Sequence, residues 1–192
     1  MTRSEPDPSS RRHELLEAAY AYALHGGLSE LSLRPLAEAI RSSPRVLLYL
    51  FGSKDGLIRA LLARARADEL ALVQQLADSQ HERDGLQPIA RDLWRWLSDD
   101  AHRGLLTLWV ESYARSLIDP DGPWAGFARD TVGDWLALLA GSQPAAVRDT
   151  EAALAQRTLV LAVLRGALLD LLATGDAART TAAVHLQLAR LA

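Results

Sequence analysis

Cysteine is missing altogether from the 192-residue chain. That excludes disulfides, zinc–thiolate sites and cysteine nucleophiles, and it fits a reducing compartment. Lysine is nearly missing too: of 21 basic side chains only Lys54 is a lysine. β-Branched residues are few and period-two alternation is scarce, so no strand is expected. Catalytic signatures are also wanting: HExxH, GxSxG, Walker A and dinucleotide glycine patterns do not occur. The histidines His13, His25, His81, His102 and His185 fall nowhere at metal-ligand spacing. Adjacent carboxylates at Asp99-Asp100 and Asp119/Asp121 lie at expected helix ends or turns, where solvated caps account for them. No enzyme activity, metal or cofactor is therefore expected. Residues 1–10 hold Pro, Ser, Asp and Glu without an apolar core, unlike a signal peptide. The longest apolar stretch, 159–173, contains Arg165 and Asp170 and reads as too short to span a bilayer. The expectation is a soluble, cytoplasmic protein with no membrane partner.

What the chain has in abundance is helical periodicity. Hydrophobic residues make up 49% of it, ample for an unaided core. The pattern predicts an all-α protein of about nine helices, near 10–25, 33–40, 44–50, 54–78, 88–99, 104–118, 123–140, 144–174 and 176–191, after a disordered tail over 1–8. Leu15, Leu16, Ala19 and Ala23 form the buried stripe of the first helix, which Gly26-Gly27 stop. Leu57, Ile58, Leu61, Leu62, Ala65, Leu72, Val73 and Leu76 supply most of the buried side of the long helix. A front domain over 9–66 and a rear domain over 67–192 follow. Their charges differ. Residues 1–66 hold ten basic against seven acidic side chains, a net of +3, and residues 67–192 hold eleven against seventeen, a net of −6. Only the front end suits a polyanion.

The front helices also begin in an unusual way. Ser10 precedes Arg11-Arg12, Ser32 precedes Leu33-Arg34, Ser43 precedes Pro44-Arg45, and Ser53 precedes Lys54. Serine is a good N-cap and proline suits the first helical position. A cation in the first turn is the wrong sign for the helix dipole, costing ~0.3–1 kcal/mol each. The arrangement makes sense where helix N-termini face phosphates. The rear helices are expected to open on Asp121, Ser142 and Asp176 instead. Two short helices after a longer one, over 32–51, are also the layout of a helix-turn-helix, whose second helix enters the major groove of double-stranded DNA. In that second helix Val46, Leu47 and Leu50 should pack inward. Arg45 and Tyr49 share the outward face with Leu48 beside them, and Arg45 suits bidentate contact with guanine.

The run Leu33-Arg34-Pro35-Leu36-Ala37-Glu38-Ala39-Ile40, the turn Arg41-Ser42-Ser43, and Pro44 to Leu57 with its Tyr49, Phe51, Ser53 and Lys54 closely resemble the DNA-binding domain of TetR-family transcriptional regulators. The resemblance covers about residues 11–66. It implies that Ser32 and Arg34 touch the DNA backbone, as Arg11 does from the first helix. It also implies that Ser42, Ser43, Pro44, Arg45, Leu48 and Tyr49 occupy recognition positions, and that Lys54 contacts a phosphate. Three departures stand out. The turn lacks the family's glycine, Leu48 replaces the usual tyrosine with Tyr49 one place later, and Arg45 replaces a small residue. The resemblance further implies a repressor that is released from its operator by a small-molecule effector, and that is nucleoid-associated while bound.

In the rear half the 159–172 segment is apolar nearly all round and must be covered on both sides. Ala162, Gly166 and Ala167 permit close helix approach. The last helix bears Ala177, Thr181, Val184, Leu188 and Leu191 at 4-3-4-3 spacing. A homodimer four-helix bundle is expected, with Leu164, Gly166, Leu168, Val184, Leu188 and Leu191 at its interface. Arg165 and Asp170 are expected to pair across that interface. Trp94, Trp109 and Tyr113 are the candidate lining of an aromatic effector pocket. The competing reading is a helical protein-interaction module that no longer binds DNA.

Overall fold

A computed structural model describes residues 8–28, 31–78 and 85–191. Among them are nine α-helices and no strand: α1 (Pro8–Gly26), α2 (Leu33–Ala39), α3 (Pro44–Phe51), α4 (Lys54–Asp78), α5 (Leu86–Leu97), α6 (Arg103–Ile118), α7 (Phe127–Gly141), α8 (Glu151–Thr174) and α9 (Ala177–Leu188). Short 3-10 turns at Asp100–His102 and Ala189–Leu191 precede α6 and follow α9. The tail expected over 1–8 lies outside the described residues apart from Pro8, which already belongs to α1. Ser10 is therefore inside the first turn of α1, not its cap.

The chain forms two compact units. A front unit comprises Met1–Ala67 with Thr107–Phe127, and a rear unit comprises Asp68–Leu106 with Ala128–Ala192. The expected boundary at 66/67 assigned 107–127 to the rear, whereas these residues join the front unit. One reason is a hydrogen bond of high sequence separation, from the Leu28 N–H to Glu111 Oε2 at 2.8 Å.

In the front unit each helix buries most of the stripe its sequence dictates, with Leu16 of α1 only half-buried. Leu15, Ala19, Tyr20 and Ala23 of α1, Leu36 and Ala37 of α2, Leu47 and Phe51 of α3, and Leu57, Ile58, Leu61, Leu62 and Ala65 of α4 are all buried. Each leucine so buried is worth roughly 1.5–3 kcal/mol. α1, α2 and α3 pack on one another. Arg64 ties α4 to α1: its Nε donates to Glu17 Oε1 at 2.8 Å and its guanidinium lies 4.9 Å from the Tyr20 ring centroid. The side chain of Leu76, expected in the buried stripe of α4, lies outside the described ones.

The turn between α2 and α3 solves the missing-glycine problem with an arginine. Arg41 takes φ +53, in the left-handed region. Its N–H reaches the Glu38 carbonyl at 3.1 Å and the Ser42 N–H reaches Ala37 at 2.7 Å. Those are the two bonds of a Schellman motif, normally built on glycine. The helix thus ends where a glycine would end it, at a steric cost of roughly 1 kcal/mol. α3 starts on Ser43, whose Oγ accepts from the Val46 N–H at 3.3 Å. α4 starts on Ser53, whose Oγ accepts from the Gly56 N–H at 2.9 Å. A Cβ at Gly56 would overlap the Phe51 carbonyl oxygen, so this tight α3–α4 connection requires glycine there.

In the rear unit α5, α8 and α9 pack together. Leu86, Ile89, Ala90, Leu93, Trp94 and Leu97 of α5 meet a core that also holds Val160, Leu161, Leu164, Leu168 and Leu171 of α8 and Val184 and Leu188 of α9. Two helix starts differ from expectation. Residues 123–126 are a turn before α7. Residues 144–150 begin one turn on Pro144 but stop, and Thr150 restarts the chain as the cap of α8 by accepting from the Ala153 N–H. Arg157 holds that loop, donating to the Gln143 side chain at 2.9 Å and the Arg148 carbonyl at 2.7 Å. Neither Asp121 nor Ser142 caps a helix, and the Ser142 hydroxyl donates backward to Leu139. Asp176 does cap α9, accepting from Arg179. The expectation that the apolar stretch is too short to span a bilayer is also corrected. α8, with 24 residues, is long and apolar enough to cross a membrane by length and composition alone.

Candidate nucleic-acid interface

The axis of α3 is set by Leu47 and Phe51, which are four residues apart and buried. The opposite face is therefore open. Tyr49 at its centre is 81% exposed, Arg45 one turn earlier is exposed, and Leu48 flanks them at 40%. Val46, expected to point inward, is 38% exposed, because a residue one step before Leu47 is carried about 100° round the helix. It joins the outward face, a position that sequence reasoning missed. Leu50 is half-buried.

Around α3 stand the other candidates. Ser42 and Ser43 are half-buried at its N-terminus with Pro44. Lys54 is exposed as the first residue of α4, its charge offset by Asp55 in the same turn. Arg34 is exposed on α2. Ser32 sits in the extended geometry of an N-cap but gives α2 no side-chain hydrogen bond. Arg11 spends part of its charge on Glu14, at 3.1 Å on the next turn of α1. Its neighbour Arg12 stacks over the Phe51 ring, 4.9 Å from the centroid. That contact fixes an exposed guanidinium at the end of α3. No sequence signal singled out Arg12 over Arg11.

The three candidate effector residues are divided between the two units. Trp94 belongs to the rear unit, is only 2% exposed, and donates from Nε1 to Thr181 Oγ1 at 3.0 Å. That bond ties α5 to α9. Trp109 is buried and Tyr113 half-buried, both on the α6 segment of the front unit.

The dimer candidates are corrected. Leu164, Leu168, Val184 and Leu188 are buried inside the rear unit's own core and have no surface to offer a partner. Of the 4-3-4-3 seam of α9, Val184 and Leu188 face inward and Ala177 is exposed. Gly166 is exposed, and the Leu191 side chain lies outside the described ones. The open seam is on α8: Ala155, Leu159, Ala162, Gly166, Leu169 and Ala173, also spaced 4-3-4-3-4, are all exposed. Leu186 of α9, at 66% exposure, is a further apolar residue left open. Asp170, expected to pair across the interface, has a partner in its own chain. Arg179 of the same chain binds both its carboxylate oxygens, at 2.7 and 2.6 Å. Those hydrogen bonds, chiefly, hold the Asp170 carboxyl below its ordinary range, against a smaller desolvation penalty.

No family model matches the chain, and no curated protein matches it. Solved structures do. The chain is similar to the multidrug binding protein EbrR complexed with imidazole, with TM-score 0.67 and 26% identity over 97% of this chain and 90% of that one. EbrR complexed with proflavin gives TM-score 0.67 and 28% identity over 95% and 99%. A TetR-family transcriptional regulator from Agrobacterium tumefaciens gives TM-score 0.70 over 96% and 99%, at 18% identity.

Proposed function

We propose that this chain, which shares the fold of TetR-family transcriptional regulators over nearly its whole length, is a cytoplasmic DNA-binding regulator that reads an operator as a homodimer. The outward face of α3 carries the reading. A helix whose inner side is locked by Leu47 and Phe51 presents Arg45 and Tyr49 to the outside, and serine-capped helix starts and cations lie on either side. Arg45 donates to a guanine edge, Leu48 and Val46 meet thymine methyls, and Lys54, Arg34 and Arg12 hold phosphates. Ser32, Ser42, Ser43, Pro44 and Arg11 lie close enough in sequence to complete the contact set.

The exposed α8 seam supports the dimer. Alanine and glycine between Leu159 and Leu169 let two helices approach closely, and an apolar strip of that length in a soluble regulator is covered by its own copy. The same seam accounts for the apolar length of α8 without a membrane. To read adjacent half-sites, such a dimer presents its two α3 helices about one DNA turn apart, ~34–36 Å. Regulation by a small molecule is supported by the imidazole and proflavin complexes of EbrR. Effector binding near Trp109 and Tyr113 lowers operator affinity, with a coupling of ~1–3 kcal/mol. Repression follows from occupying a promoter, which needs no further surface.

Selection of bound duplexes from a random pool tests the reading. A two-fold symmetric site with half-sites spaced by about one helical turn supports it. A pool that stays random after repeated rounds would sink it in favour of a protein-interaction module.

A further inference from the structure

We propose that Glu111 of α6 is a positioning residue that holds the start of the DNA-reading helices, so that α6 sets how they are presented. The inference rests on the regulator reading above. Its observations lie within the front unit. Leu28 follows α1 and is almost wholly buried. The left-handed Gly27, whose own N–H takes the Ala23 carbonyl at 2.8 Å, turns the chain off the helix, and the Leu28 N–H goes to a side chain instead. Glu111 Oε2 accepts that N–H at 2.8 Å across 83 residues of sequence. The same oxygen occupies the space beside Gly27. A Cβ there would stand 2.8 Å from Glu111 Oε2, and φ +74 puts Gly27 in the left-handed region. Glycine at 27 thus both ends α1 and leaves the carboxylate its seat.

The placement is costly for stability alone. A carboxylate beside a helix C-terminus faces the negative end of the dipole. A charge-assisted bond to a buried N–H outweighs that penalty, yet it leaves a contact that is easily shifted. Trp109 and Tyr113 lie two residues to either side of Glu111 on the same helix. The hold that α6 exerts on the end of α1 passes through the Leu28 N–H.

The test compares Glu111→Ala, Glu111→Gln, Gly27→Ala and the Gly27→Ala/Glu111→Ala pair in the full-length protein. Operator affinity is read over a range of salt, and Leu28 amide exchange is read by NMR. Glu111→Ala should weaken binding to every duplex by roughly ten- to hundredfold. It should leave base preference and salt slope unchanged, because Glu111 touches no phosphate, and Leu28 should lose protection. Glu111→Gln keeps an acceptor and should stay within a few-fold of wild type. Gly27→Ala should weaken binding too, and in the pair the two losses should fall well short of multiplying. Wild-type affinity in Glu111→Ala, or fully multiplying losses in the pair, overturns the proposal. A variant whose melting temperature drops while operator affinity holds shows a merely structural contact and also overturns it. Wild-type protein that binds no duplex selectively counts against the regulator reading instead. Leu28 exchange would then still decide whether Glu111 holds the segment, retained protection in Glu111→Ala being the contrary result.

Discussion

The exposed side of α3 and the exposed side of α8 differ in almost every chemical respect. α3 shows solvent an arginine and a tyrosine flanked by small patches of leucine and valine, with serine caps and cations nearby. α8 shows solvent a strip of leucine, alanine and glycine, and opens conventionally on a threonine cap with Glu151 in its first turn. Both helices bury one face in their own unit. On the function proposed above, what remains outside suits a hydrated polyanion on α3 and a second apolar helix on α8. The contrast is sharpest on these two helices. Elsewhere it softens, since Asp55 accompanies Lys54 on α4 and Arg179 stands in the first turn of α9.

Charging the α8 seam should break the comparison most severely. Leu169→Asp buries an unpaired carboxylate wherever two copies meet, which weakens association by about a hundredfold or more. Sedimentation velocity should show monomers at concentrations where wild type is dimeric. An unchanged dimer would place the interface elsewhere. Next in size, Arg45→Ala should cost about ten- to hundredfold at one or two base positions and little at the others, read by anisotropy on single-base variants of the selected site. Equal losses at every position would make Arg45 a phosphate contact.

Lys54→Ala should act more gently and without regard to sequence. Its mark is a salt slope smaller by about 0.9 per subunit, with base preference intact. The smallest expected effect lies in the turn. Arg41→Gly relieves a left-handed arginine and should raise unfolding free energy by roughly 1 kcal/mol in denaturant titration. A loss of stability would mean that the Arg41 side chain makes up for its backbone.

Local signals carried most of the front unit. Ser43-Pro44 marks the start of α3 and Gly52 its end because caps and breakers act within one turn of the helix. Leu36-Ala37 and Leu47-Phe51 mark the buried faces because their spacing matches the helical period. Four kinds of feature escaped. Arg41 occupies a glycine conformation, which no local preference forecasts. Val46 is apolar yet faces outward, since Leu47 and Phe51 rather than the valine's own character fix the rotation of α3. In α8 both faces are apolar, so sequence alone could not tell the face that the rear unit buries from the face it leaves open. The inward residues Leu164 and Leu168 and the outward Leu159 and Leu169 look alike until the fold separates them. The bond from Leu28 to Glu111 joins positions that sequence reading had no reason to compare.

The central claim, that α3 and its neighbouring helix starts grip DNA, is tested most directly by anisotropy on the selected duplex and a scrambled one between about 50 and 200 mM salt. The account predicts tight binding to the selected duplex that weakens by roughly 10³–10⁵-fold across that range, as six to ten phosphate contacts per dimer require. It also predicts far weaker binding to the scrambled duplex throughout. Affinity that is flat with salt and equal for both duplexes would contradict it.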